Sequence, residues 1–195
     1  MVAAALPHET ALPDVVREEW RQTWRVFGVD PAIAESVVWP EMLRYSVVRD
    51  FAETAVDFGF YFIGEKEPDY SIGIFQMRPS FVEALEKAWM HSGLADEYDL
   101  SFDIADSAYS RGKRIGRMNS YEWQVLYLGV FLRLLYHCYN LQDLPVEDQV
   151  RLSATAYNRG CAWTAAGCGD VGKLRKHAGA SYANRAWEHY KSIAE

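Results

Sequence analysis

Apolar residues recur three or four positions apart along most of the chain, which is the spacing of helices with one buried face. This spacing predicts helices over 14–27, 31–46, 47–62, 80–93, 145–157 and 181–193. Asp30 and Pro31 mark the start of the second helix, because aspartate caps free amides and proline fits a first helical turn. Pro40 should bend that helix, since proline removes an amide donor.

The most apolar segment is SYEWQVLYLGVFLRLLYHCYN, residues 120–140. Asn119 and Glu122 form a plausible capping pair at its start. Between Glu122 and Asp143, Arg133 is the one charged residue, and apolar residues occupy nearly every side of the helix. A helix of this kind is typically central, with other helices packed around it.

The stretch DYSIGIFQMRPSF, residues 69–81, interrupts the helical pattern. Its Ile72, Ile74 and Phe75 favour extended backbone, so we expect a minimal strand region near 70–77. Residues 94–118 are polar and irregular, which favours loop with a short helix. The pattern therefore predicts a mainly α (α+β) fold.

The composition of the chain limits the kinds of partner that the protein is expected to bind. The chain has 195 residues, half of them hydrophobic, and a net charge of -7. Basic residues are scattered except in RGKRIGR, residues 111–117, which we interpret as a solvated loop. A surface that follows nucleic-acid phosphates is therefore not expected. No apolar run approaches the roughly 20 residues that span a bilayer, and no Pro/Gly/Ser-rich linker divides the chain, so we expect a single domain over 1–195.

The three cysteines leave the redox compartment open. Cys138 lies in the apolar helical segment and is typical of a small core residue. Cys161 and Cys168 flank AWTAAG and either close a small disulfide or remain free thiols. The five histidines are dispersed, and no Cys/His spacing is typical of a zinc site, so we expect neither a metal nor a cofactor.

Three sequence features carry candidate chemistry. Glu41 lies in VVWPEMLRYS among apolar and aromatic residues, and such surroundings disfavour the charged carboxylate. A general acid that works near neutral pH needs this property. The second feature is SIGIFQM, residues 71–77, and the third is ATAYNRG, residues 154–160, at the end of a predicted helix.

A glutamate on a helix, then a GLMQ-like turn, then AYNxG is an order that resembles the lytic transglycosylase branch of the lysozyme superfamily. Here the second motif is GIFQ, residues 73–76, and the third is AYNRG, residues 156–160. The resemblance implies a lysozyme-like fold with its core motifs within 31–160 and a C-terminal helical extension over 161–195. It also implies a groove that binds the peptidoglycan glycan strand.

The implied activity is cleavage of the β-1,4 bond between MurNAc and GlcNAc by a single glutamate that acts as acid and then as base. A lytic transglycosylase, which forms a 1,6-anhydro product, is expected ahead of a hydrolytic muramidase. Carried over by position, Glu41 is the acid/base and Tyr157 orients it. The residues implied to line the cleft or to fix its turns are Ser71, Gly73, Gln76 and Asn158.

The separation between Glu41 and Gly73 is longer than is usual in the family, so other acids stay open. Glu53 lies nearer the turn, and Glu35 heads an ES pair, although Glu35 is also easily interpreted as a surface residue. Asp69 is either a second carboxylate, which would favour hydrolysis, or a turn-forming aspartate after Pro68.

Function also stays open at this stage. The alternatives are a catalytically inactive glycan-binding or assembly module on the same fold, and an unrelated helical interaction protein. The segment MVAAALPHETALP has neither the basic start nor the apolar centre of an export signal. Either such a signal has been removed, the protein leaves the cell by another route, or it works in the cytoplasm. The resemblance implies a periplasmic or secreted location.

Overall fold

The computed structural model describes residues 14–44, 69–160, 163–164, 167–168 and 171–194. The predicted helix over 47–62 and the candidate acid Glu53 lie outside these residues. Within them the protein is mainly helical, as predicted. None of the helices in the described ranges combines the length and apolar character needed to cross a bilayer.

Most of the described residues lie in helices. The helices are α1 (Asp14–Val26), α2 (Pro31–Met42), α3 (Pro79–His91), α4 (Leu94–Glu97), α5 (Ala108–Met118), α6 (Tyr121–Tyr139), a 3₁₀ turn (Leu141–Asp143), α7 (Val146–Arg159), α8 (Val171–Arg175) and α9 (Ser181–Ile193). Between α7 and α8, two-residue strands β1 (Trp163–Thr164) and β2 (Gly167–Cys168) pair antiparallel.

Helix α6 lies at the centre, and the prediction of a buried helix is confirmed. Helices α1, α3 and α5 all pack against it. The predicted Asn119–Glu122 capping pair is wrong, because Ser120 is the residue that caps α6 and its hydroxyl accepts from the Trp123 amide. Asn119 instead ends α5 and donates its side-chain amide to the Ile115 carbonyl at 3.0 Å.

Close approach between α1 and α6 depends on Gly129. A Cβ built at this position would lie 2.5 Å from the ring of Phe27. That ring is fixed by a stacked contact with Tyr98 and an edge contact with Trp89, so it has no room to yield. The sequence places glycine here because only a hydrogen fits between the two helices.

We therefore expect Gly129→Ala to destabilise the protein by about 1–3 kcal/mol through overpacking, even though alanine is the better helix former. Urea unfolding followed by far-UV circular dichroism measures this change. Gly116→Ala is the matched control, because nothing lies within 4 Å of a Cβ built at Gly116 and the substitution in α5 should not destabilise. Equal effects at both positions would contradict the packing argument.

The prediction of mostly loop over 94–118 is wrong for the second half of the segment, which forms helix α5. Ser107 caps α5 by accepting from the Ser110 amide at 3.1 Å, and Ile115 and Met118 bury one face of the helix. The motif RGKRIGR therefore lies on a packed helix and not on a solvated loop. Its Arg114 is buried and ion-paired, which explains why a basic cluster occurs in a helical element.

Extended structure near 70–77 is smaller than predicted. Ile72 and Met77 form one antiparallel bridge, and residues 73–76 form a turn between them. Ile74 and Phe75 lie in that turn, so the prediction of extended backbone is wrong for both. Phe75 is buried there, with its ring 5.2 Å from that of Trp20 in an edge contact.

The C-terminal helix α9 packs against both α2 and α7. Tyr182, Ala183 and Ala186 on its inner face are buried. The Tyr182 hydroxyl donates to the Val37 carbonyl of α2 at 3.0 Å. Helix α9 therefore belongs to the same core as the motifs of the central region.

Cys138 is disulfide-bonded. Cys138 is therefore not merely a small core residue. The side chains of Cys161 and Cys168, for which the sequence left a disulfide or free thiols open, lie outside the described part of the protein.

Candidate functional site

Glu41 lies in the last turn of α2, and its side chain is 15% exposed. Burial raises the pKa of this carboxyl above its ordinary value. The charge of Arg44, a hydrogen bond with Tyr182 and the charge of Arg78 act in the opposite direction and do not cancel the effect of burial. The carboxyl therefore keeps its proton to a higher pH than a solvated glutamate does.

Tyr182 contributes a buried phenol from α9 beside Glu41. Its hydroxyl lies 3.0 Å from the Val37 carbonyl and also hydrogen-bonds the Glu41 carboxyl. A hydroxyl has one proton and two lone pairs. It can accept from protonated Glu41 while donating to Val37, and it can turn its proton to the carboxylate once Glu41 ionises.

We expect Tyr182→Phe to move the titration of Glu41 to higher pH. The substitution removes a hydrogen bond that favours the ionised carboxylate, while the desolvation that disfavours it remains. The midpoint is measured by ¹³C NMR of the Glu41 carboxyl. Tyr190→Phe, on the same helix but more exposed, is the control and should leave the midpoint unchanged. A fall in the Tyr182→Phe midpoint would contradict the assigned role.

Tyr157 lies near the end of α7, with its ring held by edge contacts with Phe81 and Phe131. Its hydroxyl donates to the Phe75 carbonyl at 2.7 Å. Burial raises the pKa of Tyr157 well above its ordinary value, and the nearby charge of Glu41 raises it further. The structure thus brings together the glutamate, the tyrosine of AYNRG and the turn of GIFQ.

The GIFQ turn has two residues in the left-handed region, Gly73 with φ 74° and Gln76 with φ 53°. Gln76 donates its side-chain amide to the Gly73 carbonyl at 2.8 Å. Sequence reasoning assigned Gln76 to the cleft lining, but its amide nitrogen is engaged in closing the turn. Ser71 is partly buried just before the bridge, and Asn158 is exposed on the last turn of α7.

Gln124, near the start of α6, hydrogen-bonds the GIFQ turn and was missed by sequence reasoning. Its Oε1 accepts from the Phe75 amide at 3.0 Å, and its Nε2 donates to the Met118 carbonyl at 2.8 Å. A Cβ at Gly73 would overlap this side chain at 1.8 Å. One signal could have found it: a glutamine on the most apolar helix of the chain needs partners when buried.

Asp69 is placed as a helix cap. Its carboxylate accepts from the Ser80 amide at 2.8 Å and from the Ser80 hydroxyl at 2.6 Å, at the start of α3. It borders a polar cavity of about 120 Å³ that Glu83, Arg111 and Arg114 also line. These bonds give Asp69 a structural role at the start of α3.

Glu35 is buried, so its interpretation as a surface residue is wrong. Arg17 and Arg21 from α1 each lie 3.4 Å from its carboxylate, and His189 from α9 lies at 3.5 Å. Burial raises the pKa of Glu35, but the contact with His189 at 3.5 Å and the arginine charges lower it more. This carboxylate stays ionised in a structural ion cluster, which is the opposite of what a general acid requires.

The functional residues that sequence reasoning missed lie far from Glu41 in the chain. Tyr182 is one of twelve tyrosines, and nothing in its helical spacing distinguishes it from a core residue. Arg78 follows the turn directly, and its charge lowers the pKa of Glu41. Each contact is set by tertiary packing.

The chain matches no family model, no curated protein and no solved structure.

Proposed function

We propose that this protein has a lysozyme-like fold and cleaves the peptidoglycan glycan strand at the β-1,4 bond between MurNAc and GlcNAc. The observation that carries the proposal is the carboxyl of Glu41. Burial raises its pKa, it interacts with the phenol of Tyr182, and its charge raises the pKa of Tyr157. The order of the three motifs supports it, because Tyr157 also binds the GIFQ turn.

In the proposed reaction, protonated Glu41 donates its proton to the glycosidic oxygen as the bond from that oxygen to C1 of MurNAc breaks. The sugar passes through an oxocarbenium-like transition state. The Glu41 carboxylate then removes the proton from the 6-hydroxyl of the same sugar, and that oxygen attacks C1 to form the 1,6-anhydro product. Glu41 ends the cycle protonated, so proton and charge balance.

The lyase outcome is proposed ahead of hydrolysis because a single carboxyl suffices for it. Within the described part of the chain, no second carboxyl contributes to the pKa shift of Glu41. Asp69, the candidate partner, uses both carboxylate oxygens to bind Ser80. Within the described residues neither observation points to an acid that would hold a water for hydrolysis, so the sugar's own hydroxyl is the proposed nucleophile.

The proposed location is the periplasm or the exterior of the cell. The disulfide at Cys138 supports it, because disulfides form and persist in oxidising compartments and are rare in the cytosol. Peptidoglycan lies in the same compartments. The redox state of Cys138 in protein purified under thiol-blocking conditions from the native host tests this placement.

The proposed function is tested by incubating the protein with purified sacculi and identifying soluble muropeptides by mass spectrometry. Anhydro-muropeptides are the expected product, and a reducing-end product would indicate hydrolysis. Binding to sacculi without release of fragments would favour an inactive glycan-binding module. If the protein neither binds sacculi nor releases fragments from them, the proposal is contradicted.

A further inference from the structure

A polar cavity lies between the start of α3 and helix α5. Its volume is about 120 Å³, whereas one water needs roughly 10–15 Å³ of such space. Asp69, Ser80 and Glu83 line one side, and Arg111 and Arg114 of α5 line the other. The side chains of Glu83 and Arg111 are 32% and 30% exposed, so the cavity opens at the surface of the described part of the protein. It has room for a small polar head group.

The α5 side of the cavity carries positive charge. Arg111 and Arg114 are three positions apart and so lie on one face of the helix. Arg114 donates from Nε to Glu86 at 2.9 Å and from Nη1 to Glu83 at 3.4 Å. Within the described part of the chain its Nη2 has no hydrogen-bond partner, although the side chain is only 4% exposed. Nη2 is therefore the nitrogen that remains for a ligand in the cavity.

The opposite side carries negative charge and hydrogen-bond acceptors. Each carboxylate oxygen of Asp69 accepts one bond from Ser80 and keeps a further lone pair. The Ser80 hydroxyl gives its proton to Asp69 and also keeps its lone pairs. Glu83 adds a second carboxylate one turn along α3. This side can therefore accept hydrogen bonds from an ammonium group.

A ligand with one sign of charge meets the wrong charge on one side of the cavity. An anion at the arginines also faces Asp69 and Glu83, and a cation at these carboxylates also faces the arginines. A zwitterion, with its carboxylate toward Arg114 and its ammonium toward Asp69, meets the opposite charge on both sides. The head group of an amino acid has this form, because it carries both charges on one carbon.

The cavity lies at the base of the segment whose tip is the GIFQ turn. Ile72 and Met77 pair across this segment, and Asp69 and Ser80 are hydrogen-bonded just outside that pair. At the tip, the turn accepts a hydrogen bond from Tyr157. One short segment thus borders both the cavity and the candidate site, and a ligand that reaches both would be a glycan strand with a side branch.

We propose that this cavity binds the ammonium–carboxylate head group of an amino acid, and that in the proposed reaction the head group belongs to a stem peptide of the glycan strand. The second half of the inference rests on the proposed function, and the first half does not. Stem peptides with diaminopimelate carry such a head group where they are not cross-linked. Stem peptides with lysine carry an ammonium without the carboxylate at the same position.

Glycine and its two halves test the head group directly. ¹H–¹⁵N NMR follows the Arg114 Nε–H and the Ser80 amide during titration with glycine, acetate or methylammonium at constant ionic strength. Glycine should shift both signals saturably and bind at least roughly tenfold more tightly than either half, because each half lacks one set of charge-assisted hydrogen bonds. Either half binding as tightly as glycine, or no shift with glycine, would overturn the inference.

Glu83→Gln gives a result that general damage to the fold would not produce. It removes negative charge from one side of the cavity, so the affinity for glycine should fall roughly tenfold. Acetate should bind more tightly than it does to the wild type, because it loses a repulsion. A parallel loss of both affinities in the folded variant would overturn the inference.

Glu147→Gln is the matched control. Glu147 pairs with Arg151 four positions along α7, as Glu83 pairs with Lys87 along α3, and it does not line the cavity. Its substitution should leave both affinities unchanged. If Glu83→Gln does not fold, Arg111→Gln carries the mirror-image test, in which glycine binds more weakly and methylammonium more tightly.

Three preparations of sacculi distinguish a stem peptide from a free amino acid as the source of the head group. They have diaminopimelate stems, lysine stems, or strands freed of peptide by an amidase. At low substrate, fragment release should be roughly three- to tenfold faster from the first than from the other two, since one more group is bound. Glu83→Gln should reduce this ratio on the same preparations, which controls for other differences between the sacculi.

The glycine titration does not depend on cleavage, so two failures are distinguishable. If no preparation releases fragments while glycine binds as expected, the proposed function is wrong and the cavity stands as a site for a free amino acid. If all three release fragments at equal rates, the function stands and the stem peptide is rejected as the ligand.

Discussion

Glu41→Gln should lower the rate of fragment release from sacculi by about a thousandfold. The amide has nearly the same shape as the carboxyl and can still pack beside Tyr182, but it has no acidic proton to give to the glycosidic oxygen. General acid–base groups contribute roughly 10²–10⁴-fold to a rate, and this carboxyl is proposed to serve as both acid and base. The measurement is the initial rate of soluble muropeptide release at the wild-type pH optimum.

Glu35→Gln is the matched comparison, because both glutamates lie on α2 and the sequence alone left both open as the acid. Glu35 is ion-paired with Arg17 and Arg21 and lies 3.5 Å from His189, so its loss should reduce stability and leave the rate per folded molecule within about threefold of the wild type. Thermal unfolding gives the folded fraction. The reverse pattern, with Glu35→Gln inactive and Glu41→Gln active, would reject the assignment of the acid.

Glu41→Asp adds a test of geometry. Aspartate retains the acidic proton but withdraws it by one methylene from the position beside Tyr182. If the position of the carboxyl matters, Glu41→Asp should lower the rate, but by less than Glu41→Gln does. If Glu41→Asp were as active as the wild type, the carboxyl would not be held in the fixed arrangement described above.

The helical elements could be predicted because their signals are local. Periodic apolar positions placed the helices beginning at Asp14, Pro31 and Ser181 at or within one residue of their observed starts. Helix α5 was missed because its buried face contains Arg114, which a hydrophobicity pattern counts as polar. Arg114 could be recognised as a core residue only together with its partner Glu86, 28 positions earlier.

The residues of the candidate site also fall into two groups, those that lie in sequence motifs and those that only the fold brings to the site. Glu41 was predicted as a site residue from its apolar neighbours, and Gly73 and Tyr157 from the resemblance that their short motifs carry. Tyr182 and Gln124 were not, since their roles come from contacts with the site made across many intervening residues. A buried polar residue on an apolar face is thus a useful warning in a sequence, although its partner has to come from the fold.

Substitution of Glu86, which lies in a fully buried cluster, is expected to cause the largest loss of stability. Glu86 on α3 accepts from Arg114 Nε at 2.9 Å and from the Tyr127 hydroxyl at 2.5 Å, and Arg117 lies 3.4 Å away. The Glu86 side chain has no exposed surface, and that of Arg114 is 4% exposed. Glu86→Ala should therefore cost about 3–5 kcal/mol, because it leaves the Arg114 charge buried beside only a partial partner, Glu83.

Chemical denaturation monitored by tryptophan fluorescence measures this loss, and two further variants separate its causes. Glu97→Ala breaks an exposed pair with Arg133 and should cost no more than about 1 kcal/mol. The double variant Glu86→Leu/Arg114→Met removes both charges at similar volume and should be clearly more stable than Glu86→Ala, since the buried Arg114 charge is no longer left without its partner. A double variant as unstable as Glu86→Ala would mean that lost packing, and not an unpaired Arg114, causes the effect.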